Sequence, residues 1–380
     1  MFPKLIAVTG IILILAMVWD AFEALVLPRT ASRRFRPARL FYRATWPTWT
    51  ALARLVGRGQ RRENFLAIYG PLSFLVLMAC WAVALMVGFA MVQWGFGSHL
   101  NVPKGTSGFW ADLYMSGTTL FTLGIGDVTP NGAFARAITV VEAGVGFGFL
   151  ALVIGYLPVL YQGFSRREVN ISLLDARAGS PPSAGELLLR HVDDMAGLDL
   201  LLRDWERWAA ELMESHLSYP VLLYFRSQHE HQSWLGALTA ILDASALVMV
   251  GINGGPTRQA QLTFAMARHA VVDLAQASGV APRAPSPDRL PPEDLRSLRA
   301  HLAQHGVALK DGAMADTTLA TLRSLYEPFV SSMAARLLLT LPPWRSPVDE
   351  VDSWRTSAWE SGASGIAGLS RQDLGDHPEL

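Results

Sequence analysis

Two long apolar segments, at about 65–94 and 133–161, flank a short run that cannot cross a bilayer as they can. Each flank exceeds the roughly 20 apolar residues a membrane-crossing helix needs. The run between them, residues 109–130, reads FWADLYMSGTTLFTLGIGDVTP. It is too short and too rich in glycine to span, so the segment at about 106–129 enters the membrane and returns on the same side. Irregular backbone at that depth is tolerated only where it lines a cavity or is buried in protein. A further candidate span covers about 5–27.

The centre of the run, Thr122-Leu123-Gly124-Ile125-Gly126-Asp127, resembles the selectivity filter of potassium channels, whose common form is T-V-G-Y-G-D. With the apolar helix that follows, the resemblance covers about 60 residues. An ion entering such a pore exchanges its water for backbone carbonyl oxygens, provided successive residues aim them at one axis. Glycine reaches the left-handed backbone angles this requires. The resemblance implies that Gly124 and Gly126 turn the carbonyls of Thr122, Leu123, Gly124 and Ile125 inward. It also implies that the Thr122 hydroxyl closes the innermost site and that Asp127 stands at the outer mouth as a brace. A bare motif has a plainer alternative, a glycine turn with Asp as a helix cap.

The sequence departs from the family pattern at two positions. Ile125 stands where Tyr or Phe is usual, and Phe121 where a second Thr is common. The Ile125 carbonyl survives the change, but the ring that packs behind the filter does not. The expectation is a pore helix repacked around Ile125, with Phe121 filling the ring's volume. The strictness of potassium over sodium is left open.

By the same resemblance the third span is the inner, pore-lining helix. Gly146, between Gly144 and Gly148, falls where the family has its hinge glycine. Three glycines in one turn weaken a helix by about 1 kcal/mol each against alanine, which suits a bending gate. Close packing of small residues explains them equally well. Pro158 is expected to kink or end the helix, with Gly155 near the inner constriction. Glu142 is an ionisable group within the span and a functional candidate on that ground, with Thr118 or Thr119 as its expected partner.

Arginine sets the orientation. Between the first two spans lie Arg29, Arg33, Arg34, Arg36, Arg39, Arg43, Arg54, Arg58, Arg61 and Arg62, against the single acid Glu63. Arg166 and Arg167 follow the third span, while the loop 95–108 carries only Lys104. The positive-inside rule places the arginine loop and the C-terminus in the cytoplasm, with the N-terminus and filter mouth outside. The first span has only Lys4 before it and no small-x-small site after it, which favours a retained span over a cleaved signal peptide. Asp20 and Glu23 are expected to pair with Arg29 or Arg33. Residues 37–58 mix tryptophans with arginines and resemble an interfacial slide helix, broken by Pro47 into two pieces.

Composition divides the 380-residue chain. Residues 1–63 read as a transmembrane helix and arginine-rich segment, 64–165 as the pore domain, 166–344 as an α-helical cytoplasmic domain, and 345–380 as a disordered tail. Helical periodicity marks 195–217, 257–278 and 317–340, and a helix starts near Pro291. Residues 234–252 approach spanning length with Asp243 inside, but a fourth span would carry the rest of the chain outside, so a buried core helix is expected. The chain is all-α by this reading.

Formal net charge is zero and speaks for no nucleic-acid partner. The single cysteine, Cys80, excludes an intrachain disulfide. No Ser-His-Asp constellation points to an enzyme, and no glycine-rich nucleotide fingerprint follows a strand. His216, His229, Glu230 and His231 make a weak metal signal, so no metal is expected beyond K+ in the filter. One filter loop supplies a quarter of a ring. The expectation is a potassium-selective homotetramer embedded in membrane lipid, without a cofactor, regulated by its helical domain through an unidentified ligand. A weakly selective cation channel and a non-conducting membrane sensor are the alternatives.

Overall fold

Apolar periodicity resolves into twelve α-helices and two very short strands among the described residues. The computed structural model describes residues 2–26, 37–57, 59–103, 108–227, 232–252 and 254–345. Arg29, Arg33, Arg34, Arg36, Arg58, Lys104, His229, Glu230, His231 and the tail beyond Arg345 lie outside these residues. The chain divides into two units, Met1–Ser165 with Ser215–Arg226, and Arg166–Glu214 with Ser227–Leu380.

The first unit contains α1 (Phe2–Leu25), α2 (Pro37–Leu55), α3 (Gln60–Gly95), α4 (Phe109–Leu120) and the first part of α5 (Ala133–Ala178). The helices α1, α3 and α5 are long and apolar enough to cross a membrane, and the molecule is an all-α membrane protein. Lipid-type packing joins α1 to α3. A Cβ on Gly10 would lie 2.6 Å from the Gly88 carbonyl oxygen, and one on Gly95 would lie 2.7 Å from that of Pro3. Small residues thus let the two backbones approach where apolar burial alone gives no preference over lipid. The outward side chains of α1, including Leu5, Ile12 and Leu15, stay exposed. Because α1 and α3 run antiparallel, the N-terminus of α1 lies at the end of α3 that leads into the filter region.

Two expectations for this unit are corrected. Pro47 does not break α2, which runs unbroken from Pro37 to Leu55. Proline within a helix costs about 3 kcal/mol. Trp46 and Trp49 offset it by packing on α3. Trp46 lies 4.8 Å from the Tyr69 ring, and Trp49 stacks on Phe65 at 4.5 Å while its indole donates to the Phe65 carbonyl at 3.2 Å. Asp20 accepts from the Ala38 amide at 3.0 Å and the Trp81 indole at 2.9 Å, so it serves as an N-terminal acceptor for α2, while its expected partners Arg29 and Arg33 lie outside the described residues. Finally, Pro158 does not end α5, which continues to Ala178 and stops before Gly179, whose φ is 84°.

The second unit holds the remainder of α5 and α6 (Ala184–Leu189), most of α7 (Met195–Ser218), then α8 (Trp234–Gly251), α9 (Thr257–Ala277), α10 (Pro292–Gln304), α11 (Ala313–Ser324) and α12 (Glu327–Leu337). The expected helix at 317–340 is in fact the pair α11 and α12. Pro328 in the first turn of α12 has no N–H to continue the preceding helix, so the chain restarts there. By length and composition α8 also qualifies as a membrane span, yet 89% of its apolar window is buried inside the protein.

Asp243, fully buried on α8, explains the acid in that apolar run. Its carboxylate accepts from Arg289 at 2.7 and 3.3 Å and from the Tyr326 hydroxyl. Arg289 also bonds Glu327 at 3.1 Å and the Pro342 carbonyl at 2.9 Å. Burial alone would depress the Arg289 guanidinium, but Asp243, aided by Tyr326 and Glu327, outweighs burial and raises it above its ordinary range. The network ties the loop before α10 and the segment after α12 to the central helix. Asp243→Ala leaves a buried guanidinium short of its main counter-charge. We expect a loss of about 3–5 kcal/mol of stability, read as a lower unfolding midpoint for the C-terminal unit in detergent. An unchanged midpoint would exclude a structural role for this network.

Candidate functional site

Helix α4 carries the site. Its face toward the protein interior is formed by Ala111, Asp112, Met115, Ser116 and Leu120. Close approach fixes α4 against α3, since a Cβ on Gly117 would sit 3.1 Å from the Met86 sulfur. The Ser116 hydroxyl lies 2.8 Å from the Met86 carbonyl oxygen. At the N-terminal end of α4, Ser98 donates to Asp112 at 2.6 Å. Strand β1 (Leu100–Asn101) pairs antiparallel with β2 (Thr129–Pro130), so the loops before α4 and after residues 122–127 are stitched together.

The chain leaves α4 through a tight reversal. The Thr118 carbonyl receives the amides of Leu123 at 2.7 Å and Gly124 at 3.2 Å, and the Thr119 carbonyl receives that of Thr122 at 3.0 Å. Left-handed φ values then recur at every second residue, 57° at Thr122, 56° at Gly124 and 83° at Gly126. Glycine takes such angles at no steric cost, whereas Thr122 carries about 1–3 kcal/mol of strain. The use of a non-glycine residue at the first of these positions was not legible in the motif. Residues 121–127 are all exposed in the single chain.

Asp127 is held from behind the run. The Tyr114 hydroxyl donates to its carboxylate, 3.1 and 3.3 Å from the two oxygens, and the Val128 amide donates at 3.0 Å. Tyr114 lies about three and a half helical turns of sequence before Asp127, and no spacing rule links a helix to the loop that doubles back beside it. Phe121 and Ile125 are both exposed, so within one chain the expected filling of the ring volume by Phe121 is not made.

Glu142 is completely buried, and its partner is Ser116, not Thr118 or Thr119. Thr118 turns its hydroxyl to the Met115 carbonyl at 2.9 Å. Helical spacing explains the correction: Ser116 lies four residues from Asp112 and Leu120 and shares their buried face. Gly146 packs directly on the end of α4, where a Cβ would overlap the Leu120 carbonyl oxygen. Gly144, Gly148 and Gly155 have open space around a would-be Cβ. Close packing therefore accounts for Gly146 but not for its neighbours.

Of the histidines, His216 is buried and lies 3.1 Å from the Ser215 hydroxyl. Among the described residues no group of three His, Cys, Asp or Glu side chains is placed to hold a metal ion.

Residues 73–162 match the model of a family described as "Ion channel". That stretch runs from the middle of α3 through α4 and the alternating run into α5, and so takes in the whole site. The chain is also similar to the uncharacterized membrane protein YdjJ of Bacillus subtilis (strain 168), at 24% identity over 194 residues. The match covers 49% of this chain and 55% of that relative, so the chain spans about half of the relative's length. No solved structure matches the chain significantly. Through residues 73–162, which include the whole site, this membrane protein is similar to the ion channel family.

Proposed function

We propose that four copies of the chain form a potassium-selective channel. The N-terminus and filter mouth face outward, and the helical C-terminal unit lies in the cytoplasm and sets the open probability. The observation that carries this reading is the alternation of left-handed φ at Thr122, Gly124 and Gly126 on an exposed run anchored by the Thr118 carbonyl. Such a backbone costs strain and exposes its carbonyls. It is useful where copies meet around an axis and an ion replaces the missing partners.

Two further features support assembly. Leu123 and Ile125 are exposed in the single chain, as are Val140, Phe147, Leu150 and Ile154 on α5. The filter contributes one quarter of a coordination ring, so four copies complete it. K+ is the permeant ligand, and the site calls for no cofactor.

Flux through reconstituted protein under a potassium/sodium gradient tests the reading. We expect a reversal potential near that of potassium. Equal permeabilities would favour a weakly selective cation channel, and no current a non-conducting sensor. Gly126→Ala forces alanine into left-handed angles at about 1–2 kcal/mol per subunit. It should abolish flux while the tetramer stays intact by size-exclusion chromatography.

Tyr114 supplies the brace that Ile125 cannot. Losing its hydrogen bond to Asp127 costs on the order of 1 kcal/mol. Tyr114→Phe should therefore lower the potassium-to-sodium permeability ratio by about fivefold. A ratio equal to that of the parent would show that Asp127 is held by other means.

A further inference from the structure

Residues Ser215–Arg226 follow 49 residues of the second unit, Arg166–Glu214, yet they belong to the membrane unit. They comprise the last turn of α7 and a 3₁₀ turn at Pro220–Tyr224. Their position in sequence, within the expected cytoplasmic domain, gave no hint of this.

Their contacts fall on two sides. On one side Tyr224 is enclosed by rings of α2 and α3. It stacks on Tyr42 at 5.5 Å and lies 4.9 Å from Trp46 and 5.3 Å from Tyr69. Phe225 presses on α3 where only glycine fits, since a Cβ on Gly70 would lie 2.7 Å from its ring. Arg226, itself largely buried, reaches Glu63 at the start of α3 at 3.4 Å. On the other side the segment meets α5. Tyr219 is edge-on to Tyr156 at 5.3 Å, and Phe225 lies 5.5 Å from Phe164. Leu222 sits 3.3 Å from the Cβ position of Gly163.

Val221, Leu222 and Phe225 thereby share one buried cluster with Phe74 of α3 and with Tyr156, Leu160 and Phe164 of α5. The contacts on α5 bracket Pro158. The segment is a wedge between the outer helix and the inner part of the pore-lining helix. Both its ends continue into the C-terminal unit, through Glu214 and through Ser227.

We propose that Ser215–Arg226 is a coupling strap through which the C-terminal unit sets the position of α5 around Pro158, and so the open probability. The inference rests on the channel reading for its electrical readout, but not for its structural one. A bend of α5 at Pro158 must either carry Tyr219, Leu222 and Phe225 along or break their contacts with Tyr156, Gly163 and Phe164. Tension arriving through α7 or through Ser227 therefore acts where the helix is most easily bent. The filter, held by α4, lies outside this cluster.

Two variants test the strap from opposite sides. Tyr224→Ala removes its ring from the cage. Gly70→Ala leaves the strap intact and displaces Phe225 from the α3 side. Both are measured as full-length, size-checked tetramers beside the parent. We expect the open probability to shift by about fivefold, the change that the loss of one aromatic pair contact would produce. Single-channel conductance and the potassium-to-sodium ratio should remain those of the parent.

Hydrogen–deuterium exchange is run on the same samples. Amides of residues 156–165 should exchange at least about fivefold faster, in line with the same loss of packing. Amides of 109–127 should exchange at the parental rate. Parental exchange at 156–165 in both variants would overturn the strap, whatever the current shows. Faster exchange there with an unchanged open probability would overturn its gating role. A parent that exchanges as described but passes no current would count against the channel reading, while the exchange result still decides the mechanical one.

Discussion

A membrane interior offers no water to an irregular backbone, so every turn of chain at that depth needs a protein partner or a cavity. The site meets this demand at the C-terminal end of α4. There the Thr118 carbonyl takes two amides of the chain that doubles back. At the neighbouring Leu120 carbonyl, α5 comes so close that position 146 has no room for a side chain. Because α5 approaches at this point, the alternating run stands clear of it. The remaining parts of the first unit hold that one junction: α3 lies behind α4, the two short strands close the outer loops, and Asp127 is tied back to Tyr114.

The two units reach stability by different means. In the first, backbones approach through small residues and aromatic rings fill the wider gaps, as at Gly10 with Gly88 and at Tyr224 among three rings. Apolar surface facing lipid contributes nothing to such contacts, so shape decides them. In the second, an apolar helix surrounds one buried carboxylate, and the arginine that answers it gathers two distant segments. A buried ion network of this kind is a weak source of net stability but a strong constraint on which segments meet. It suits a unit whose long connections would otherwise have few fixed points.

The apolar helices were legible because length and hydropathy are local properties. The glycines of the alternating run were legible because left-handed backbone angles restrict residue type at Gly124 and Gly126. Where readings failed, a tertiary contact had overridden a local rule. Pro47 sits within a helix because two tryptophans hold that helix to α3. Ser116 displaced Thr118 as the partner of Glu142 because the pore helix presents a different face from the one assumed. The strain at Thr122 and the brace from Tyr114 depend on a chain that folds back on its own helix, which no spacing in a single sequence encodes. The return of residues 215–226 to the membrane unit was hidden for the same reason: an apolar stretch with aromatics reads alike in a soluble core and against a membrane helix.

Asp20 bears on how the first unit comes to be assembled. One of its carboxylate oxygens serves both the Ala38 amide at the start of α2 and the indole of Trp81 on α3. The helix that brings it, α1, precedes both partners in the chain. During synthesis Asp20 is thus made before the amide and the indole that it accepts from, and an acid in an apolar span costs several kcal/mol until its polar contacts are complete. The emergence of α3 relieves that cost, which gives α1 a reason to remain beside the exit path until its partner arrives. The first helix is in this sense matched to the rest of the chain, and an arbitrary apolar anchor of equal length would leave the indole and the α2 amide without their acceptor.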